Sequence, residues 1–196
     1  MGKYSNYSDT QLLREIGNYN SRALEELYTR YSPILYTLIK KIADDDKTAE
    51  YILVEVFSII WRKVSNFDTE NSNAYVWIIT LARNRAIDTV RRNRRDSSEM
   101  GFYDDEYENR YIVPTLPKKM KNMDLETALG YQGKIEDALT RLSEAQQYII
   151  HLSYYEGYTL DEMSKKLNLP IEVVRNKVYL AMQDLHNLLF PKGNGD

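Results

Sequence analysis

Apolar positions recur with a helical period along most of the chain. Leu12, Leu13 and Ile16 follow Ser8 and Asp9, which suit a helix start, and the run stops near Gly17. Ser21 offers the next cap, ahead of Leu24, Leu27, Tyr28, Tyr31, Leu35, Leu38, Ile39 and Ile42 at helical spacing. Pro33 lies inside that run and predicts a kink or a loosened turn. The polar break Asp44–Asp46 predicts a cap for a helix from about Lys47 to Val64, before a polar loop over 65–73. A further helix is predicted over 74–94, its turns marked by Val76, Trp77, Ile79, Ile87 and Val90. No stretch alternates convincingly as a strand.

Residues 96–130 break the period. Gly101, Pro114, Pro117 and the run Asp104, Asp105, Glu106 read as a linker, in which Met120, Met123 and Leu125 could form a local helix or dock on a neighbour. From Ile135 the helical period returns and lasts to Phe190. Within it, residues 158–189 read as a helix-turn-helix. Thr159 caps a short helix whose Leu160, Met163 and Leu167 share one face. Asn168 falls where the turn needs a left-handed residue, and Pro170 can open the second helix because its missing N–H is unsatisfied there anyway. Val174, Val178, Ala181, Leu185 and Leu188 form the inner stripe of that helix. Its other face carries Glu172, Arg175, Asn176, Lys177, Tyr179 and Gln183, side chains suited to base edges and phosphates in a major groove. A helical hairpin without a DNA role would show a similar pattern. The reading is an all-α chain of two small domains, residues 1–95 and 131–196, joined by the acidic linker 96–130.

Composition narrows the function. The 196 residues are 43% hydrophobic, enough for packed cores. With no cysteine and only His151 and His186, disulfides, thiolate metal sites and a cysteine nucleophile are excluded, and a histidine metal centre is poorly supplied. The longest nearly apolar run, 51–61, is broken by Glu55 and too short to span a membrane, so a cytoplasmic protein is expected. Residues 1–95 carry a net charge of +3, the linker −4 and residues 131–196 −2. Between positions 80 and 95, six arginines face only Asp88. This stripe reads either as a polyanion site or as a solvated helix end favoured by the helix dipole. Asp88 among arginines is expected to form an internal salt bridge. Trp61 and Trp77 are expected as core anchors, and most of the seventeen tyrosines as half-buried packing. No acid–base, metal or cofactor constellation stands out, so neither enzyme activity nor a cofactor is expected.

Two stretches together resemble a family. YILVEVFSIIWRKVSNFD (51–68) followed by AYVWIITLARNRAIDTVRRNRR (74–95) resembles the second domain of sigma-70-type initiation factors, and residues 139–189 resemble their fourth domain. With only these two domains, the chain resembles the extracytoplasmic-function (ECF) group of bacterial sigma factors. The resemblance implies a factor that binds core RNA polymerase through its β′ coiled coil and β subunit, recognises promoter DNA, melts the −10 element and starts transcription. It assigns Glu50, Tyr51, Val54, Glu55, Phe57, Trp61 and Arg62 to polymerase docking. It assigns Asn66, Asn71, Asn73, Arg83, Asn84, Arg85, Arg91 and Arg92 to the −10 element. Glu172, Arg175, Asn176, Lys177 and Tyr179 fall to the −35 element. It also implies an inhibitory anti-sigma protein. Tyr51 and Val54 depart from the acidic residue and Gln usual in the family, and Leu180 from its arginine. A sigma-like DNA-binding regulator or decoy without initiation activity is the competing reading.

The linker carries its own expectation. A free coil of 35 residues spans roughly 30–35 Å. The promoter elements lie about two helical turns apart, about 70 Å, so the linker must be stretched and held in the working complex. Its acidity suits a positively charged nucleic-acid channel. Replacing Asp104, Asp105 and Glu106 together by Ala is expected to lower run-off transcription, and unchanged output would remove that role.

Overall fold

The computed structural model describes residues 3–68, 72–94 and 123–191, without the side chains of Asn66, Asn93 and Arg94. Among the described residues there are helices and no strands. The chain divides between Leu125 and Glu126 into two compact units. The acidic run of the expected linker lies outside the described residues, while its last residues, 125–130, are helical.

The first unit is built from α1 (Asp9–Gly17), α2 (Ser21–Ala43), α3 (Asp46–Lys63) and α4 (Ala74–Arg94), with a short 3-10 turn at Val64–Asn66. Ser8 caps α1 in a reciprocal box with Gln11, as the sequence suggests. The cap of α2 is Asn20 rather than Ser21, its carboxamide accepting the Arg22 N–H at 3.2 Å. This helix runs unbroken through Pro33. Asp44 ends α2 in the left-handed region at φ 56°, and Asp45 caps α3 by accepting the Thr48 N–H at 2.7 Å. Hydrogen bonding from the Thr48 side chain first, and from its N–H second, holds the Asp45 carboxyl below its ordinary pKa. The core gathers Leu12, Leu13, Ile16, Leu27, Tyr31, Leu35, Ile39, Ile52, Ile60, Ile78 and Ile87. Arg30 ties the chain start to α2, donating to the carbonyls of Tyr4, Ser5 and Tyr7 and pairing with Asp9 and Glu26. The Tyr31 hydroxyl donates to Asp9 at 2.6 Å. Burial first, and that carboxylate second, push the phenol pKa upward.

The second unit begins inside α5 (Leu125–Gly130), after its first residue, and contains α6 (Gln132–Thr140), α7 (Glu144–Tyr154), α8 (Leu160–Leu167) and α9 (Ile171–Leu189). Its small core holds Ile149, Leu152, Met163 and Val174, with Tyr158, Leu160, Leu167, Leu169 and Val178 packed around it. Capping boxes start α7 at Ser143 and α8 at Thr159. Asn168 ends α8 at φ 51°, ψ 45°, and Pro170 stands at the N-cap of α9, so the turn is three residues long as the sequence predicts.

The left-handed Asn168 gives a direct test of this turn. Asn168→Ala is expected to destabilise the second unit by about 1 kcal/mol, because alanine keeps the Cβ strain of the left-handed backbone and lacks the short polar side chain that lets Asn tolerate it. Asn168→Gly is expected to leave the calorimetric transition unmoved or raise it. Equal losses for both variants would show that the side chain, not the backbone, matters.

Candidate nucleic-acid interface

Two exposed surfaces of the first unit begin on the core helices. On α3 the adjacent Glu50 and Tyr51 are followed at steps of three or four by Val54, Ser58 and Arg62, and all are exposed. Tyr51 is 62% and Val54 66% exposed, so the two departures from the family pattern stand open on this face. Phe57 corrects the expectation that it lies open for docking. The ring of Tyr28 from α2 covers it at a centroid distance of 4.8 Å, and Phe57 is buried. Trp61 is half-buried, with Tyr19 edge-on at 5.9 Å. The Tyr19 and Tyr28 rings therefore form part of the outer surface beside α3, a contribution the sequence did not reveal. At the helix start, the Lys40 ammonium pairs with Asp46 at 2.7 Å and the Tyr36 hydroxyl donates to it. These hydrogen bonds hold the Asp46 carboxyl below its ordinary range.

On α4 the inner stripe is Ala74, Ile78, Leu81, Ala82, Ala86 and Ile87. Val76, Trp77, Ile79 and Val90, expected to mark the inner turns, are only half-buried; Trp77 packs on Phe67 at 5.2 Å instead of anchoring the core. Arg85 falls on the inner stripe, four residues after Leu81 and seven after Ile78. It is buried, and its guanidinium bridges Glu55 of α3 and Asp88 at 2.9 Å. A guanidinium committed to two carboxylates inside the fold is not available to a phosphate, which removes Arg85 from the DNA-facing set. The same pairing turns Glu55 inward from the docking face. Asp88 forms the internal salt bridge the sequence suggests, shared between Arg85 and Arg92.

The remaining residues expected at the −10 element divide. Asn73 caps α4, accepting the Val76 N–H at 3.0 Å, and its amide donates to the Met123 carbonyl at 2.8 Å. Arg83 donates to Asn84 at 3.2 Å, and both are half-buried. Arg91 is half-buried and Arg92 is exposed at the end of the helix. Asn71 and the Asn66 side chain lie outside the described residues.

In the second unit, α8 and α9 form the helix-turn-helix. Val174 and Ala181 are fully buried on the inner stripe, while Glu172, Arg175, Asn176, Lys177 and Tyr179 are all exposed on α9. Arg175 donates to both carboxylate oxygens of Glu172, at 2.8 and 2.6 Å. An exposed pair of this kind holds by less than about 1 kcal/mol, so a phosphate or base can displace it. Gln146 at the start of α7 donates to the exposed Asp184 of α9 at 2.6 Å. Among the described residues, no cluster of three or more His, Asp or Glu could hold a metal ion, and no helix is long and apolar enough to cross a membrane.

Removing one partner from the buried bridge should be severe. Arg85→Ala leaves Glu55 facing an apolar core and is expected to cost about 3–5 kcal/mol in urea unfolding. A loss below about 1 kcal/mol would mean that the pair behaves as a surface contact.

Family comparisons agree with this anatomy. The sigma-70 region 2 family matches residues 27–96, and the sigma-70 region 4 family matches residues 132–185, together more than half of the chain. The chain is 27% identical over 179 residues to the ECF RNA polymerase sigma factor SigK of Mycobacterium bovis (strain BCG / Pasteur 1173P2), covering 91% of each protein. A SigK from Mycobacterium sp. (strain KMS) is 25% identical, covering 91% of this chain and 89% of the relative. The solved structure of Rhodobacter sphaeroides SigE in complex with the anti-sigma ChrR is similar at 24% identity and TM-score 0.45, covering 92% of this chain and 97% of that one. The family is not a class of enzymes. The chain belongs to the sigma-70 family, as a sigma factor of the ECF group that directs transcription initiation by bacterial RNA polymerase.

Proposed function

We propose how the two units divide this work. The second unit reads the −35 element through α9, with Glu172, Arg175, Asn176, Lys177 and Tyr179 facing the major groove. The observation that carries this reading is the polar outer face of α9 set on its buried Val174–Ala181 stripe, behind a three-residue turn. The first unit docks on core polymerase through Glu50, Tyr51, Val54 and Arg62 of α3, with the neighbouring Trp61. It meets the −10 element through Asn66, Asn71 and Asn73, and through Arg83, Asn84, Arg91 and Arg92 of α4. The division into residues 1–95, linker 96–130 and residues 131–196 belongs to the same proposal.

Opening DNA costs on the order of 1.4 kcal/mol of stacking per base step. Part of that cost is offset when an unstacked base is taken up by a polar loop, and part when arginines hold the displaced backbone. Neither contribution asks this chain for covalent chemistry. The second unit's net charge of −2 limits its independent affinity for DNA, because phosphate neutralisation supplies most non-specific binding. Its reading of the −35 element therefore depends on the polymerase holding it near the promoter.

An anti-sigma protein is the proposed inhibitory partner. The exposed apolar side chains of Tyr51 and Val54 on α3, and of Tyr179, Leu180 and Met182 on α9, are surfaces such a partner would cover. The place of action is the cytoplasm, where the polymerase and the chromosome are.

Run-off transcription from a randomised promoter library, with bacterial core polymerase and with or without this protein, tests the reading. New starts sharing a −35 and a −10 block are expected. Arg175→Ala should then relax the −35 preference at one or two positions, by about 1–3 kcal/mol of discrimination. Binding to core polymerase without any new start would favour the decoy reading instead.

A further inference from the structure

The bridge beneath α4 extends beyond the core. Glu55, Arg85, Asp88 and Arg92 form a line of alternating charge that starts on α3 and ends at the surface. Exposure rises along its α4 members: the Arg85 side chain is 8% exposed, Asp88 13% and Arg92 41%. One oxygen of Asp88, Oδ2, accepts from both Arg85 and Arg92. Arg85 stabilises the fold and Arg92 belongs to the proposed DNA face, and the Asp88 carboxylate stands between them.

We infer that Asp88 is a positioning residue for promoter opening, its carboxylate anchored on buried Arg85 so that it holds the guanidinium of Arg92 in place at the basic end of α4. The inference rests on the proposed role of α4 at the −10 element. An exposed aspartate four residues before an arginine restrains it weakly, because both side chains can turn to solvent. Asp88 has no such freedom. Its other partner is a buried cation that is itself fixed by Glu55 on a neighbouring helix. Arg92 is thereby held by a carboxylate that the core orients, and its rotamer entropy is lost on folding and not on meeting DNA. Arg92 uses one nitrogen on Asp88, and a guanidinium has five N–H donors, so a phosphate can be bound with that contact intact. Glu55 balances Arg85 and Asp88 balances Arg92, so the line is neutral as a whole while its outermost group is a cation.

The test uses the full-length chain with bacterial core polymerase in four forms: wild type, Asp88→Asn, Arg92→Ala and the double variant. Total run-off from the randomised promoter library reports opening, and fluorescence anisotropy with a non-promoter duplex reports plain DNA affinity. Asp88→Asn is expected to lower run-off roughly 3–10-fold, and in the Arg92→Ala background to lower it by less than about 1.5-fold, since groups acting through one contact do not add. Its duplex affinity should stay level or rise, because a negative charge has been removed and the arginine remains. A general folding defect would lower both readings together. Losses that multiply in the double variant overturn the inference, as does duplex binding that falls in parallel with run-off. If Arg92→Ala opens promoters like the wild type, the inference falls and Arg92 leaves the DNA face, while starts from the wild type still uphold the sigma reading. Absence of starts from the wild type overturns both. Asp88→Glu, which keeps the charge on a longer arm, carries the same cycle should Asp88→Asn fail to fold, and partial recovery of run-off relative to Asp88→Asn is expected where both fold.

Discussion

A guanidinium buried between two helices constrains the first unit more than any other single contact. Arg85 occupies a core position of α4, and a charge in that environment is tolerated only with paired, hydrogen-bonded partners. Glu55 from α3 and Asp88 from α4 supply them. The geometry of the pair fixes both the rotation and the register of the two helices, since sliding either by one turn would strand a charge among Ile52, Ile60, Ile78 and Ile87. The outer face of α3 and the basic end of α4 belong to the two helices that this contact joins. Their relative orientation is thus set by a buried ionic bridge, which is directional in a way that packed isoleucines are not.

A second clamp acts at the chain start. Arg30 satisfies three backbone carbonyls of residues 4–7 and pairs with Asp9 and Glu26, while the buried Tyr31 hydroxyl is held by Asp9. The segment before α1 has few apolar side chains, and its carbonyls need partners that one planar, multidentate cation supplies. In the second unit the fully buried side chains are few and small in total, and local signals carry more of the structure. Reciprocal capping boxes at Ser143 and Thr159 and the left-handed Asn168 decide where its helices begin and end. The stripe around Val174 anchors α9, and its polar side chains lie exposed on the other side.

Helix limits were legible because they are written in short-range chemistry. Asp45, Thr159, Asn168 and Pro170 act within three or four residues of themselves, so their roles follow from the residue type and its place against the apolar period. The same holds for the recognition face of α9, which is the complement of a clean inner stripe. On α4 the period is blurred: small alanines at 74, 82 and 86 share the inner packing with Ile78, Leu81 and Ile87, while larger residues at 76, 77, 79 and 90 lie half outside. Residue size therefore points to the wrong phase, and the family resemblance places Arg85 with its neighbouring arginines as a DNA contact. Its spacing from Ile78 and Leu81 was the available sign that it faces inward.

What the sequence determined by itself is the all-α character, the positions of the first unit's helices and of the helix-turn-helix, and the family, since all three depend on local periodicity, caps and the order of motifs. What only the tertiary structure decided is which polar and aromatic side chains remain available at the surface. Phe57 and Arg85 sit on helices whose limits are plain from the sequence, yet one is covered by Tyr28 across 29 positions of chain and the other is bound by Glu55 across 30. Burial and charge pairing depend on which residue arrives from a different helix, and one-dimensional spacing carries no term for that approach.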